Sequence, residues 1–190
     1  MDPIRIVLVA GMMVHKAVWE VMKRTQPVRA SGPDTGAGTS KRVLKLVKVG
    51  VLVFLVVQAL ALDLLPIRGA PVWLRWLGLG LFVLGLGIAI LGRVELGTNW
   101  ADIEDGRVLE GQAMVSHGIY RWIRHPIYAG DMFLLVGLQL ALASWLVLAM
   151  VAPVAVFVRR ALKEEAMLAR NFAGYEEYCA RTKRFLPLIY

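Results

Sequence analysis

The chain has 190 residues, of which 58% are hydrophobic and 19% are charged, and its formal net charge is +8. A soluble domain is nearer a quarter charged, and the apolar residues here lie in long runs, so composition favours a membrane protein. The single cysteine, Cys179, excludes an intrachain disulfide and a cysteine-rich metal site. We expect the positive charge to reflect topology and anionic lipid, not a nucleic-acid partner.

The N-terminal part, residues 1–91, is predicted to form three membrane helices. They cover residues 4–22, 43–65 and 72–91, and the last is long enough to cross a bilayer core about 30 Å thick. A polar linker at 23–42, rich in proline and glycine, separates the first two. The third helix carries glycines that would let a neighbouring helix approach closely: Gly78, Gly80, Gly85 and Gly87.

The C-terminal part, residues 92–190, is predicted to form one structural unit. Its loop at 92–126 is polar, and the nearly uncharged stretch 127–158 is too long for one span and too short for two full ones. We therefore expect a hairpin of two short helices that turns near Ser144, followed from Arg159 by an amphipathic helix at the interface. The predicted fold is an all-α integral membrane protein with about five membrane helices.

The distribution of basic residues predicts the orientation in the membrane. The segments 23–48, 92–126 and 159–190 hold 18 of the 22 lysines and arginines. With five membrane helices all three segments fall on one face, and the positive-inside rule makes that face cytoplasmic. We expect a multi-pass protein of the inner membrane in a prokaryote, or of the endoplasmic reticulum in a eukaryote, with its active site on the cytoplasmic face.

The most distinctive stretch is residues 118–130, where a loop enters the predicted hairpin. Pro126 suits the first position of a helix, and the free amides at such an N-terminus suit a carboxylate. Tyr120, Trp122 and Tyr128 offer ring faces to an adenine or a sulfonium cation. Aromatic and basic residues also gather in ordinary interfacial belts, but the ordered His125-Pro126 followed by Tyr128 favours a binding site.

A second candidate cluster, residues 159–165, follows the last predicted span. Arg160 and Glu164 are four residues apart and share one helix face. A solvated surface pair has the same spacing and contributes little. A carboxylate and a guanidinium at the mouth of a membrane cavity would also suit a zwitterionic cofactor and an anionic substrate. Spacing alone leaves both interpretations open.

Together these motifs carry a family resemblance that covers roughly residues 92–190. The pattern Gly118-x-Tyr120-x-x-x-Arg124-His125-Pro126-x-Tyr128-x-Gly130, with a C-terminal run, resembles the isoprenylcysteine carboxyl methyltransferase family and its phospholipid methyltransferase relatives, in the short prokaryotic form. The C-terminal run comprises Glu164, Glu165, Leu168, Phe172, Tyr175, Tyr178 and the sequence Arg184-Phe185-Leu186-Pro187. The chain differs at Gln112, where relatives often have histidine, and by one residue fewer between Phe172 and Tyr175.

The resemblance implies an enzyme that transfers a methyl group from S-adenosylmethionine to a lipid-like substrate in the bilayer, without a metal. The implied reaction is carboxyl O-methylation of an isoprenylcysteine-type thioether. Arg160 and Glu164 would be the catalytic residues, with Arg160 on the substrate's carboxylate. The implied cofactor contacts are Gln112, Ala113, Met114, Val115, Tyr120, His125, Pro126, Ile127, Tyr128 and Glu164.

Three alternatives remain at this point. A phospholipid N-methyltransferase would use the same cofactor, but an ammonium must first lose its proton and Arg160 would repel it, whereas a carboxylate is already ionised. A membrane reductase that uses NADPH carries a similar His-Pro-x-Tyr pattern, although 190 residues is short for that class. A membrane scaffold without catalytic activity would bind neither cofactor.

Overall fold

The computed structural model describes residues 2–24, 38–99 and 113–187. Their regular secondary structure is helical, and two isolated β-bridges join distant segments. The α-helices are α1 (Pro3–Arg24), α2 (Gly38–Ala61), α3 (Val72–Leu96), α4 (Pro126–Ala141), α5 (Val151–Asn171) and α6 (Tyr175–Arg181). Short 3-10 helices at Gly97–Asn99, Gly118–Arg121 and Trp145–Met150 connect them.

The helix boundaries differ from the prediction in two places. Helix α2 begins and ends several residues earlier than the predicted span 43–65, and most of the predicted linker, residues 25–37, lies outside the described segments. Helix α3 continues past residue 91 because residues 92–96 contain no proline and their polar side chains do not interrupt a helix. It ends at Gly97, whose φ of 52° is a conformation that glycine adopts without strain.

The predicted hairpin turn near Ser144 is present. The Ser144 hydroxyl caps the following 3-10 helix by accepting a hydrogen bond from the Leu146 amide (3.2 Å) and donates to the Leu64 carbonyl (2.7 Å). The Trp145 amide donates to the Leu65 carbonyl at 2.9 Å. The turn is therefore fixed to the segment that joins α2 and α3.

The structure differs from the prediction of a separate interfacial helix beginning at Arg159. Helix α5 runs without a break from Val151 to Asn171, so the charged residues extend the second arm of the hairpin. Pro153 lies in the first turn, where a missing amide proton is tolerated. The chain then turns at Gly174, whose φ is 80°, into the short helix α6.

Close packing of α3 against α4 forms the centre of the bundle. A Cβ atom on Gly85 would lie 2.5 Å from the Gly130 carbonyl oxygen, and Gly78 is equally tight against the backbone at Ala141. The prediction of a close helix approach is thus confirmed for Gly78 and Gly85. It is wrong for Gly80 and Gly87, which face open space.

The core of the bundle contains one polar pair among apolar side chains. Gln58 on α2 and Gln139 on α4 are almost fully buried and exchange two amide hydrogen bonds of 2.9 and 3.1 Å. Each buried side-chain amide thereby gives the other both a hydrogen-bond donor and an acceptor. The surrounding apolar cluster joins four helices: Ile4, Leu8, Met12, Leu55, Ala59, Phe82, Leu134, Leu138 and Ala141.

The outer surface of the described bundle is strongly apolar. Two helical stretches, Val72–Asn99 and Trp145–Asn171, are long and apolar enough to cross a membrane, and only 6% of the apolar window of the second is buried. Helix α4 is apolar but shorter. A protein surrounded by water rarely exposes so much contiguous apolar surface. These surfaces suit a lipid environment, and the count of five membrane helices stays a prediction.

The two ends of the bundle differ in character. At one end, called here the far end, two ion pairs join α1 to its neighbours: Arg5 with Asp63 and Arg75 with Asp2. The hydrogen bond from Arg75 holds the pKa of Asp2 below its ordinary value. At the opposite end, called here the site end, residues 113–125 meet the last turns of α5 and the segment 175–187.

Candidate active site

Gly118 starts the loop that shapes the site end. Its φ of 56° is a conformation that side chains rarely adopt, and a Cβ atom there would collide with the Glu95 carboxylate. That carboxylate accepts a hydrogen bond from the Ile119 amide at 2.6 Å. The first glycine of the motif is therefore needed to seat the loop on the end of α3.

Tyr120 acts as an anchor for this loop. Its ring is buried, and its hydroxyl donates to the Gly92 carbonyl at 3.1 Å. The Tyr178 hydroxyl in turn donates to the Tyr120 carbonyl at 2.7 Å, which ties α6 to the loop. Burial raises the pKa of both phenols, so they remain protonated donors at physiological pH.

His125 and Pro126 form the N-terminus of α4. Pro126 occupies the first helical position and packs on Gly92. His125 is 5% exposed, and its amide donates to the Arg184 carbonyl at 3.0 Å. Its ring faces the Tyr128 and Phe185 rings at centroid distances of 5.6 and 5.8 Å. The start of α4 is thus fixed between this loop, residues 118–125 and called here the motif loop, and the C-terminal segment, residues 175–187.

Glu165 lies at the centre of an ionic network. Its carboxylate accepts from Arg124 Nε at 2.9 Å, from Arg184 Nη2 at 2.8 Å and contacts His125 Nε2 at 3.1 Å. Arg124 also donates to the Thr182 carbonyl, and its amide donates to the Lys183 carbonyl at 2.8 Å. This network fixes the C-terminal segment against the motif loop.

Glu164 approaches the same histidine from the other side. Its Oε2 atom lies 3.6 Å from His125 Nδ1. The imidazole therefore lies between two carboxylates, with Glu165 on Nε2 and Glu164 on Nδ1. Glu164 faces an open cleft, whereas Glu165 is occupied by the arginines.

This cleft has a cavity volume of about 100 Å³ and opens to solvent. Every described residue of the predicted cofactor set lines it: Ala113, Met114, Val115, Tyr120, His125, Pro126, Ile127, Tyr128 and Glu164. Gln112 lies outside the described residues. Arg160 is not among the lining residues and lies one helical turn before Glu164.

Several residues at the site end were missed by sequence reasoning. Asn99 lines the cleft and accepts a hydrogen bond from the Ala113 amide at 2.8 Å. Leu168 and Tyr175 also line it, and the sequence identified them only as part of the C-terminal run. The central role of Glu165 was also missed, although the motif included it. Within the described segments, no group of three or more histidine, cysteine or acidic side chains could hold a metal ion.

One polar pair outside the cleft was also missed. His15 Nε2 on α1 lies 3.1 Å from Asp131 Oδ1 on α4, and the imidazole stacks on Trp19 at 4.1 Å. The two side chains are 25% and 23% exposed. Asp131 follows Tyr128 by three residues on α4, and neither His15 nor Asp131 is among the residues that line the cleft.

Comparison with known proteins assigns the chain to a family. The model of the phospholipid methyltransferase family matches residues 73–174. This chain belongs to that family. The matched part of the chain contains α3, the motif loop, α4 and α5. It therefore includes most of the residues that line the cleft.

Curated relatives have related names. A probable protein-S-isoprenylcysteine O-methyltransferase of Oryza sativa subsp. indica is 28% identical over 120 residues, covering 62% of this chain and 63% of the relative. The Xenopus laevis protein-S-isoprenylcysteine O-methyltransferase is 29% identical over 120 residues, 62% of this chain and 42% of its own. A nickel-cobalt-cadmium resistance protein, NccN, of Alcaligenes xylosoxydans xylosoxydans is 30% identical over 123 residues. The match covers 62% of this chain and 53% of that protein. The chain therefore spans less than two thirds of these relatives.

A solved structure has a similar fold. The eukaryotic intramembrane Ras methyltransferase ICMT (isoprenylcysteine carboxyl methyltransferase) superposes with a TM-score of 0.63 at 21% identity. The match covers 100% of this chain and 69% of that one. The likeness supports the helical membrane architecture.

Proposed function

We propose that this protein is an S-adenosylmethionine-dependent methyltransferase that acts on a lipid-like acceptor in the membrane. The observation that carries the proposal is the cleft at the site end, which collects the described residues of the predicted cofactor set between the motif loop and α5. The family match and the names of the relatives support the same chemistry.

The donor set of the cleft fits this cofactor, which supplies an activated methyl group on a sulfonium when bound. Glu164 presents a carboxylate suited to the cationic amino group and sulfonium. The N-terminus of α4, just after His125, presents free amides suited to a carboxylate. Ile127 and Leu168 provide apolar walls against which a bound cofactor would displace water. Excluding water strengthens the attraction between the charges in the site.

The acceptor we propose is the carboxylate of an isoprenylcysteine-type thioether, bound by Arg160. A carboxylate is ionised at neutral pH and attacks without a base. A guanidinium can hold it through two parallel hydrogen bonds. An amine of the phosphatidylethanolamine type is the second candidate, because the family model that matches the chain is that of the phospholipid methyltransferases.

The proposed orientation places the site end on the cytoplasmic face. The positions of basic residues support this placement. Arg121, Arg124 and Lys183 belong to the segments rich in lysine and arginine, and all three lie at the site end. Arg5 and Arg75 lie at the far end. The membrane would be the inner membrane of a prokaryotic cell or the endoplasmic reticulum of a eukaryotic one.

Cofactor binding and methyl transfer test the proposal together. We expect S-adenosylmethionine, and not NADPH, to bind the purified protein in calorimetry. Glu164→Gln should weaken that binding by about 1.5–3 kcal/mol, the usual contribution of a charge-assisted hydrogen bond. Arg160→Lys should leave the cofactor affinity nearly unchanged and abolish turnover of a farnesylated cysteine derivative, because lysine cannot form the bidentate contact.

Two results would contradict this assignment. The methyltransferase proposal fails if neither S-adenosylmethionine nor its demethylated product gives a binding signal with folded, monodisperse protein. The division of roles fails if Arg160→Lys weakens cofactor binding as much as Glu164→Gln does. Binding of NADPH in place of S-adenosylmethionine would indicate a reductase, and binding of neither would indicate a scaffold.

A further inference from the structure

A second concave site, separate from the cleft, lies at the site end. It is a groove with a cavity volume of about 300 Å³, and it shares no lining residue with the cleft. Each described residue that lines the groove is aliphatic or aromatic. The groove lies between α3, α4, the motif loop and the C-terminal segment, through Ile88, Phe133, Ile119, Trp122, Phe185 and Leu186.

The groove extends from the end of the bundle toward its middle. Phe133 follows Pro126 by seven residues, so the groove reaches roughly 10 Å along α4. At its outer end Trp122 is 58% exposed. In membrane proteins an exposed indole of this kind lies at the level of the lipid head groups. The position and the apolar walls of the groove therefore suit a hydrocarbon chain that enters from the bilayer.

Two cations lie at the outer end of the groove. The Arg121 guanidinium lies over the Trp122 ring, 4.9 Å from its centroid. The exposed Lys183 is held beside the same residue, because its amide donates to the Trp122 carbonyl at 2.9 Å. Among the described residues no acidic side chain pairs with either cation, whereas Glu165 neutralises two neighbouring arginines. The groove therefore combines apolar walls with uncompensated positive charge at its mouth.

We propose that this groove binds one anionic phospholipid of the surrounding bilayer, with an acyl chain between its walls and the phosphate on Arg121 and Lys183. Basic residues at the membrane surface favour anionic lipids, and a guanidinium can hold a phosphate through two hydrogen bonds. The head group of phosphatidylcholine carries its own compensating cation and gains less from this site. The inference does not depend on the proposed function, because the groove and the cleft have different walls.

A lipid in the groove would join two segments that are far apart in the sequence. Ile119 and Trp122 belong to the motif loop, and Phe185 and Leu186 belong to the C-terminal segment. The Phe185 ring also faces the His125 ring at 5.8 Å, so one wall of the groove supports the cleft from behind. A ligand that binds only the folded arrangement stabilises it. The bound lipid would therefore hold the C-terminal segment against the motif loop.

The test compares two lipids that differ only in the head group. Delipidated protein in detergent micelles is titrated with phosphatidylglycerol or phosphatidylcholine of identical acyl chains, and native mass spectrometry counts the bound molecules. We expect the first phosphatidylglycerol to bind about 25-fold more tightly, because each basic residue contributes about fivefold near an anionic lipid. The double variant Arg121→Gln, Lys183→Gln should lose this preference and keep its affinity for phosphatidylcholine. Trp122→Ala should weaken the binding of both lipids.

Matched variants at the far end are the controls. Arg68→Gln removes a positive charge from the exposed loop between α2 and α3, and Trp76→Ala removes an indole that is also 58% exposed. Both variants should bind the two lipids as wild-type protein does. The inference is overturned if wild-type protein does not distinguish the lipids, if the double variant keeps the preference, or if Arg68→Gln lowers it equally.

Hydrogen exchange measures the consequence for the C-terminal segment. Phosphatidylglycerol should slow exchange of the Lys183 amide in wild-type protein and not in the double variant, and equal rates in both would contradict the role in closure. Two other occupants of the groove are distinguished by further outcomes. Displacement of the first phosphatidylglycerol by a farnesylated cysteine derivative would assign the groove to the methyl acceptor. A dimer that dissociates in Trp122→Ala would assign it to a second copy of the chain. Either result would overturn the inference.

Discussion

Two adjacent glutamates on α5 have different surroundings. Successive residues of an α-helix point about 100° apart, so Glu164 and Glu165 reach opposite sides of His125. Glu165 neutralises Arg124 and Arg184, and Glu164 faces the cleft. The sequence could show that both are present at a helix end but could not show which one faces the cleft.

Removing the charge of Glu165 should loosen the C-terminal segment. We expect Glu165→Gln to destabilise the protein by about 3 kcal/mol, near the lower limit for a broken buried pair, because the arginines lose their shared counter-charge. Thermal unfolding in detergent measures this change. The exposed Glu177→Gln on α6 is the matched control. Equal melting temperatures for the two variants would contradict a central structural role for Glu165.

The motif loop shows what a local pattern can predict. Gly118, Tyr120 and the dipeptide His125-Pro126 were identified from residue type and spacing, and all of them lie at the site end. Their partners were not predictable, because the Tyr120 hydroxyl bonds a carbonyl 28 residues away and its own carbonyl is bonded by a tyrosine 58 residues away. Such pairings depend on how the helices pack.

At the scale of whole helices, the glycines of α3 illustrate the same limit. Gly78 and Gly85 are seven residues apart, and so are Gly80 and Gly87. Each pair therefore defines its own stripe along one side of the helix. The sequence cannot tell which stripe is opposed to a partner. In the structure the stripe of Gly78 and Gly85 packs on α4, and the other faces away from it.

Adding one methyl group should distinguish the two stripes. Gly85→Ala should destabilise the bundle by about 1–3 kcal/mol, because the backbone of α4 must move away. Gly87→Ala should be neutral or stabilising by up to about 1 kcal/mol, since alanine favours a helix and nothing lies nearby. Unfolding in mixed micelles by a denaturing detergent compares the two. The packing is misassigned if Gly87→Ala is the more damaging change.

The glutamine pair between α2 and α4 predicts non-additive effects. Gln58→Leu should leave the Gln139 amide buried without its partner and cost about 1–3 kcal/mol, and the reverse change should cost a similar amount. The double leucine variant should cost clearly less than the two single changes together. A double-mutant cycle of unfolding free energies measures the coupling. Additive costs would show that the two amides do not depend on each other.

At the scale of the molecule, the sequence predicted the helical class, the hairpin and the clustering of the motifs. It misplaced helix ends because polar residues near the interface do not interrupt a helix, as the continuation of α5 through its charged last turns shows. It missed the contact between His15 and Asp131 because those residues are 116 positions apart. Composition predicts that helices lie in lipid, but not which polar residues meet.

The orientation of the bundle can be tested chemically. Residues 23–42, 92–126 and the C-terminal segment should share one face of the membrane, because they carry most of the basic residues. Single cysteines near Thr35 and Lys183 are introduced in a Cys179→Ser background and treated with a reagent that cannot cross the membrane. Both cysteines should be labelled when the reagent is added on one side, and neither when it is added on the other. Labelling from opposite sides would refute the five-helix layout.

The contact of Arg124 with the backbone at Cys179, Thr182 and Lys183 also bears on biosynthesis. A ribosome produces every apolar helix of the bundle before it reaches these residues. A nascent chain halted after α5 would already be able to insert its helices, yet it would lack the segment that closes the cleft against the motif loop. The contacts that close the cleft can therefore form only after α1 to α5 have been synthesised.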